Sequence, residues 1–487
     1  MSQLESQKKF NAHIVVSSES ITKHEVENGT IIEYEDNIFV DNAEGPDFRG
    51  VSTFGAAVLI AKTQFGLGVL GLPHTFDVLG FVPGLISLIA LCCLSTWAGA
   101  VAGKFRLSHP QVHSIGDATC LMFGKHAGEI MGFAFWLFYT LSYGSALLTV
   151  SIAFNSLTEH AICTTAWIGI GAALVLIIGI VTRTLKVLAW CGYAAVASVF
   201  FGVWIVAIAC LTQTTPAVAL ESGGPVEKVV QVVGTGSTYI AIASAVSSQL
   251  FSLCGTASFF TIHAEMHDQT KYLKSLFMGQ GFVAFNYIVI SSIIYGKVGQ
   301  YVASPSLGSA GMLIQKIAYG ISFPGLLFTC FYQAHFAAKY ALVRILRGTS
   351  HLQSNSKVHW FTWTILVILV VAIGFVIAGA IPFFDDLFGL VGALLGSFFT
   401  LIIPAFMVIY ELTSSLYGPS DQLLHMRISS ELLRGKKNVS ILLLCFFSIA
   451  FGSYICVSGT YGSIASIVQG YADGTVSSAF SCEDNSR

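Results

Sequence analysis

The stretch KTQFGLGVLGLPH, residues 62–74, holds the residue types and the spacing that could do chemistry. Gly66, Gly68 and Gly71 fall close together, Pro73 follows, and Lys62 brings a positive charge into an apolar segment. Glycine weakens a helix and proline has no N–H, so backbone donors and acceptors here must find partners elsewhere. In hydrocarbon such groups are tolerated only where they line a protein-enclosed or watery cavity. A helix broken near mid-membrane is the pattern of a transporter binding site. Amides at Phe65, Gly66, Leu67 and Gly68 would cap the second half-helix, where the dipole favours an anion such as a carboxylate. Carbonyls around Thr63, Gln64, Phe251 and Ser252 would accept from an ammonium. The plainer reading of the glycines is close approach of another helix.

A second weak point lies in SAVSSQLFSLCGTASFFTIHAEM. Between Phe251 and Ser258, residues Ser252, Gly255, Thr256 and Ser258 compete with helical hydrogen bonding or weaken the helix. The two weak points fall in the first and sixth apolar spans. Five spans is an odd number, so the two halves would lie in opposite orientation, as in an inverted repeat of spans one to five against six to ten, with an eleventh appended.

Counting from Ser52 at 1.5 Å per residue, Lys62 lies about 15 Å deep, halfway through a hydrocarbon core of about 30 Å. A charge there costs about 2.5–3.5 kcal/mol on lenient insertion scales, which makes it a functional candidate by default. The alternative is snorkelling to the inner surface. As proton carriers Lys62 and Glu265 rank first. His263, Glu159, His160 and the deeper His335 are further candidates, since a histidine titrates near neutrality. For Glu265 the structural alternative is an ion pair with Lys271 or Lys274.

The elements that must position these residues follow from composition. The chain has 487 residues, 54% hydrophobic and 10% charged, with a mean hydropathy of +0.73. Soluble domains carry about 25% charged residues, so this is an all-α polytopic membrane protein. The net charge of -2 gives no sign of nucleic acid as a partner. The cysteines form no CxxC or Cys/His cluster, which argues against a metal site. Eleven segments reach the length of about 20 apolar residues that crosses a bilayer: 52–79 (broken), 81–103, 127–155, 165–183, 187–211, 236–263 (broken), 276–300, 311–343, 359–381, 388–411 and 439–459. Residues 1–50 are polar and acidic and read as a disordered cytoplasmic tail. Residues 51–460 form the membrane domain and 461–487 a short outer tail. No signal peptide precedes the first span, which then serves as the targeting signal.

Lys and Arg set the orientation. With the N-terminus cytoplasmic, nineteen lie inside and four outside, with Lys62 left in the membrane. Both glycosylation sequons, at Asn28 and Asn438, then lie inside and unused. Cys163 and Cys482 fall on the outer, oxidising side of a plasma membrane and can pair, with Cys210 as a competing partner.

The segments GPDFRGVS (45–52), KTQFGLGVLGLP (62–73), GTASFFTIHAEMHD (255–268), YVASPSLGSAG (301–311), AKYALVRILRG (338–348) and VGALLG (391–396) resemble the amino acid/auxin permease family, and within it the fungal neutral amino acid permeases of the methyltryptophan-resistance type. The resemblance runs from about residue 45 to the C-terminus. It implies the eleven-span fold of the bacterial leucine transporter, with the 5+5 inverted repeat and broken helices 1 and 6. It also implies proton-coupled uptake of neutral amino acids, aromatic ones included. That fold puts a third-span aromatic over the substrate. Tyr139 and Tyr143 share one face, and Tyr143 is the choice. Phe251, Cys254, Gly255 and Ser258 of the sixth span, with Phe328, Thr329 and Tyr332 of the eighth, would line the rest, although ordinary core packing explains them too. In sodium-coupled relatives the position of Lys62 holds Asn beside the cation. The resemblance therefore implies that the Lys62 ammonium takes the place of sodium.

No catalytic residues, cofactor or bound metal are expected, and no Walker-type phosphate loop is present, so the chain does not read as an enzyme or an ATP-driven pump. A vacuolar exporter on the same frame and an amino acid sensor signalling through the acidic tail are the rival readings.

Overall fold

Each long apolar run folds as a helix, because a backbone in hydrocarbon must satisfy its polar groups within its own segment. The computed structural model describes residues 50–487 apart from 183–184, 222–226, 348, 350, 353–355, 382–383, 418–423, 425–435, 474–477 and 487. The expected acidic tail, the sequon at Asn28 and the loop cations Arg183, Arg427 and Arg434 lie outside the described residues.

The helices are α1 (Thr53–Lys62), α2 (Gly68–Leu79), α3 (Phe81–Ser108), α4 (Ile115–Phe123), α5 (Lys125–Thr158), α6 (Thr164–Val181), α7 (Leu185–Thr212), α8 (Ala217–Glu221), α9 (Tyr239–Ser252), α10 (Thr256–Ala264), α11 (Tyr272–Val298), α12 (Met312–Leu346), α13 (Lys357–Ala380), α14 (Phe384–Val391), α15 (Ile403–Tyr417) and α16 (Lys436–Ala472). Among the described residues, nine helical segments are long and apolar enough to cross a membrane, with α9–α10 counted as one. A tenth runs from Phe384 to Ser414 and bends by 41°. The chain is therefore an all-α polytopic membrane protein. α1 and α2 are each too short to cross alone.

Three features depart from the sequence reading. The tenth segment was expected as one straight span, yet Gly392–Gly396 and Phe398–Ile402 are wound as π-helix. The segment is closely packed there. A Cβ on Gly392 would meet Phe251 Cβ at 2.8 Å and one on Gly396 would meet Cys254 Sγ at 2.2 Å. The last helix continues to Ala472 rather than stopping near 459. Two of its serines there face protein: Ser466 donates to Asp386 at 3.1 Å, and Ser463 lies 3.3 Å from Ser244. Between α3 and α5 the short α4 is capped by Ser114, whose hydroxyl accepts the Asp117 amide at 3.2 Å and donates to its carboxylate at 2.9 Å.

Cys163 and Cys482 are joined as a disulfide, and Cys210 is a buried free thiol. Around this bond the chain end is laid down as a strap. Thr164 donates to the Glu483 carbonyl at 2.5 Å, Thr165 to that of Ser481 at 3.1 Å and Gln315 to that of Ser486 at 2.8 Å. The Phe480 amide donates to the Gly379 carbonyl at 2.7 Å, and Asn485 pairs with Asn155 and Ser151. The strap thus ties the ends of α5, α6, α12 and α13.

Candidate functional site

α1 starts on a Ser52 cap, whose hydroxyl accepts the Gly55 amide at 3.0 Å. α9 starts on Thr238, which accepts the Ala241 amide at 3.2 Å. Each helix then fails at its glycine and serine stretch, α1 after Lys62 and α9 after Ser252. The two interruptions press against each other. A Cβ on Gly255 would lie 2.2 Å from Thr63 Oγ1, and one on Gly68 would lie 2.8 Å from Ser252 Cβ. Only glycine permits both approaches. So the glycines do let another helix approach, and the helix concerned is the other broken one.

Unwinding frees backbone groups, and these are shared out. The Phe65 amide donates to the Ala61 carbonyl at 2.7 Å and the Gly66 amide to that of Gln64 at 2.9 Å. Two of the four expected carboxylate donors are thereby engaged within the break. The Leu67 and Gly68 amides have no acceptor among the described residues. The Tyr287 hydroxyl, from α11, donates to the Gln64 carbonyl at 2.7 Å and lies 3.1 Å from that of Ser252. One hydroxyl therefore bridges both interruptions. Tyr287 was missed by the sequence reading because nothing in the spacing of an apolar span marks it.

A small cavity lies where the breaks meet α5 and α12. It is lined by Lys62, Thr63, Gln64, Leu67, Gly68, Phe251, Ser252, Cys254 and Thr329, all expected, together with Phe138, Tyr139, Ser142 and Gln333. Its volume is about 20 Å³, close to the room one water needs. Gln333 stands one helical turn beyond Thr329, and that spacing could have found it. Tyr143 is displaced from the cavity by Tyr139. A Cβ on Gly374 would fall 2.1 Å from the Tyr143 ring, so Tyr143 packs on α13. Phe65 is buried against Phe282 and Tyr287, Gly66 backs onto Thr329, and Ser258 donates to the Gly255 carbonyl at 2.8 Å. Those three, with Gly255, shape the break and do not line the space.

The lining carries unmet polarity. Gln64 Nε2 and Oε1, Ser142 Oγ and Gln333 Oε1 are buried with no hydrogen-bond partner among the described residues. Each such group costs about 1–3 kcal/mol. A polar ligand between the Leu67 and Gly68 amides and these side chains would recover that cost.

Lys62 is 1% exposed and does not snorkel. Its ammonium donates to Thr329 Oγ1 at 2.6 Å and to the Gly325 carbonyl at 3.2 Å, and sits 5.9 Å from the Phe328 ring centre. Among the described residues it meets no carboxylate. Its amine is thus held by the oxygens of α12, bridging α1 to that helix.

Glu265 lies away from the cavity, at the end of α10. It pairs with Lys339 at 2.5 Å, not with Lys271 or Lys274; Lys271 pairs with Asp268 at 2.8 Å. Lys339 falls within the expected eighth span, and α12, which runs on to Leu346, buries it. Lys339 lines a second cavity of about 70 Å³. There Arg347 meets Asp117 at 3.0 Å and Arg344 pairs with Glu129 nearby. The other proton candidates sit elsewhere. His263 reaches the Gln269 carbonyl at 3.1 Å, His335 packs on Trp363, Glu159 pairs with Lys316, and His160 is 3.2 Å from Asn155 Oδ1. Among the described residues no group of His, Cys, Asp and Glu could hold a metal.

Tyr287→Phe removes the shared donor while keeping the ring. It should lower stability by about 1–3 kcal/mol, read as a lower Tm of the detergent-solubilised protein. An unchanged Tm would remove the bridging role.

Three comparisons bear on this geometry. The family described as "Transmembrane amino acid transporter protein" matches residues 49–465. A "Transmembrane transporter" of Gibberella moniliformis is 30% identical over 456 residues, covering 92% of this chain and 91% of that one. The "N amino acid transport system protein" of Neurospora crassa is 29% identical over 437 residues, covering 87% of each. A solved Na+-coupled sialic acid symporter, in a substrate-bound outward-open state, is similar in fold with a TM-score of 0.53. At 13% identity it covers 87% of this chain and 93% of its own. Two interrupted helices crossing at a polar cavity agree with what the family match says of nearly the whole membrane region: the chain belongs to the transmembrane amino acid transporter protein family.

Proposed function

We propose that the chain is a proton-coupled symporter that takes up neutral amino acids, aliphatic and aromatic, by alternating access. The observation that carries this reading is the crossing of the two broken helices, with the Leu67 and Gly68 amides and the Gln64 side chain unpaired at one cavity. The substrate carboxylate binds the two amides at the start of α2, where the helix dipole favours it. Its ammonium meets the carbonyl of Thr63, since those of Gln64 and Ser252 face Tyr287 and that of Phe251 accepts the Cys254 amide at 3.1 Å. Its side chain lies among Phe138, Tyr139 and Phe251. A space of about 20 Å³ is too small for an amino acid, so loading requires the helices to part, and the closed arrangement supports an alternating cycle.

In this reading α1–α2 is the first span and α9–α10 the sixth. The first repeat is α1–α2, α3, α5, α6 and α7; the inverted second is α9–α10, α11, α12, α13 and α14–α15, with α16 as the eleventh span. The N-terminus is cytoplasmic, the C-terminal strap is extracellular and the membrane is the plasma membrane. Lys62 takes the place of a coupling cation between α1 and α12, which makes transport independent of sodium.

Uptake of radiolabelled phenylalanine, leucine and glutamate, at pH 5 and pH 7.5 with and without sodium, tests the reading. The two neutral substrates should enter faster in acid and ignore sodium, and glutamate should not enter. Sodium-dependent uptake by the unsubstituted chain would overturn the role of Lys62. Uptake by Lys62→Asn at the original rate without sodium would do the same.

Orientation has its own test. Cys163→Ser leaves Cys482, an exposed residue, as a thiol. A membrane-impermeant maleimide should label this variant on intact cells far more than the unsubstituted chain. Labelling only after permeabilisation would invert the topology.

A further inference from the structure

A second group of titratable side chains stands apart from Lys62 and Glu265, where α2 meets α14. His74 Nδ1 is 3.0 Å from Asp385 Oδ2, with the two side chains 36% and 26% exposed. Asp77 of α2 and Asp386 of α14 also face the imidazole. Tyr295 of α11 lies beside Asp77. From α9 and α16 the groups turned toward Asp386 are hydroxyls, Ser244 at 3.4 Å and Ser466 at 3.1 Å. Asp385 Oδ1 is buried without a hydrogen-bond partner among the described residues.

The place of this group in the fold matters as much as its charges. α2 packs against α14 at Gly71, where a Cβ would sit in ordinary van der Waals contact with Phe388, Asp385 and Phe384 at 3.4–3.5 Å. The Phe384 and Phe388 ring centres are 4.2 Å apart, and Phe388 is 4.5 Å from Phe251, which lines the substrate cavity. Three rings in contact, each tilted against the next, thus lead from the cavity to the His74–Asp385 pair. The pair is the polar lid on those rings, and it joins a half-helix of the first span to the bent tenth segment.

We propose that His74 is a proton-binding site whose protonated ring latches α2 to α14 and shuts the extracellular path to the substrate cavity. Three carboxylates confined around one imidazole repel one another when the ring is neutral. A proton on the ring turns the contact with Asp385 into a charge-assisted hydrogen bond. The closed arrangement therefore binds the proton more tightly than the open one, and by reciprocity proton binding favours closure. In the open arrangement, away from those carboxylates, the imidazole titrates between the pH of an acidic exterior and that of a neutral cytosol. Substrate and proton then become enclosed together. The inference rests on the proton-coupled reading and adds to it the group that takes the proton.

The test reads the path directly. Cys254, which lines the cavity, is labelled on intact cells with an impermeant, permanently charged methanethiosulfonate, and its modification is followed peptide by peptide by mass spectrometry. The rate in the full chain is divided by that in His74→Gln at the same pH, which cancels thiol ionisation. The ratio should fall at least fivefold from pH 8 to pH 5, and His74→Lys, with a fixed cation, should label slowly at both. A ratio that does not change with pH, or His74→Lys labelling as fast as His74→Gln, overturns the latch. Should His74→Gln fail to reach the surface, Asp385→Asn serves as the reference with the same expectation. Uptake at the two pH values separates the two ideas. Acid-stimulated uptake with a constant ratio keeps the coupling and removes His74, whereas pH-independent uptake with a falling ratio keeps the latch and removes the coupling.

Discussion

An interrupted helix deep in a membrane protein must place its unpaired amides and carbonyls against something other than lipid. In this chain that constraint is met by pairing one interruption with the other. The Tyr287 hydroxyl spans the Gln64 and Ser252 carbonyls, and Gly68 and Gly255 clear the space for each break to lie on its counterpart. The part of the cavity lining that comes from the two broken helices is placed by this crossing. Lys62 ends α1 where α12 can receive its ammonium, Cys254 sits against Gly396 of the bent tenth segment, and Phe251 reaches the rings of α14. The amides left over, at Leu67 and Gly68, become the ones a ligand can use.

The charges are arranged in two tiers around that crossing. On one side, Glu265 with Lys339, Asp117 with Arg347 and Glu129 with Arg344 tie α10, α4 and α5 to the far end of α12. On the other side His74 and Asp385 join α2 to α14. Lys62 lies between, without an acid among the described residues. Exposed ion pairs contribute little to stability. Breaking a buried one is costly, since it leaves a charge in a poor solvent. The Glu265–Lys339 contact belongs to the second kind, and the partly exposed His74–Asp385 contact is nearer the first. A contact of small net energy is the one that can open and close.

Local signals in the sequence were legible and distant ones were not. Where α1 stops and α2 starts, and where α9 gives way to α10, is written in glycine, serine and threonine within a few residues. Counting put Lys62 well inside the first span, and its side chain is buried in the protein. The choice between Tyr139 and Tyr143 did not follow from counting, because residues four apart differ by only a small rotation about the helix, and the outcome depends on Gly374 of α13. Glu265 was given a partner close in sequence, whereas the true partner is 74 residues away on α12. The extension of α16 was hidden because Ser463 and Ser466 look like solvent-facing residues until Ser244 and Asp386 are placed beside them.

The C-terminal strap has a mechanical consequence. It holds the ends of α5, α6, α12 and α13 with hydrogen bonds to Thr164, Thr165, Gln315 and Gly379, and secures them with one covalent bond. Those four helices are stapled together at one end, while no strap of that kind joins α2 or α9 to them among the described residues. In a machine with a moving and a stationary jaw, a staple belongs on the stationary one. The last described residues therefore act as a retaining clip on those four helices, and reduction of the disulfide would loosen that frame before it touched the site.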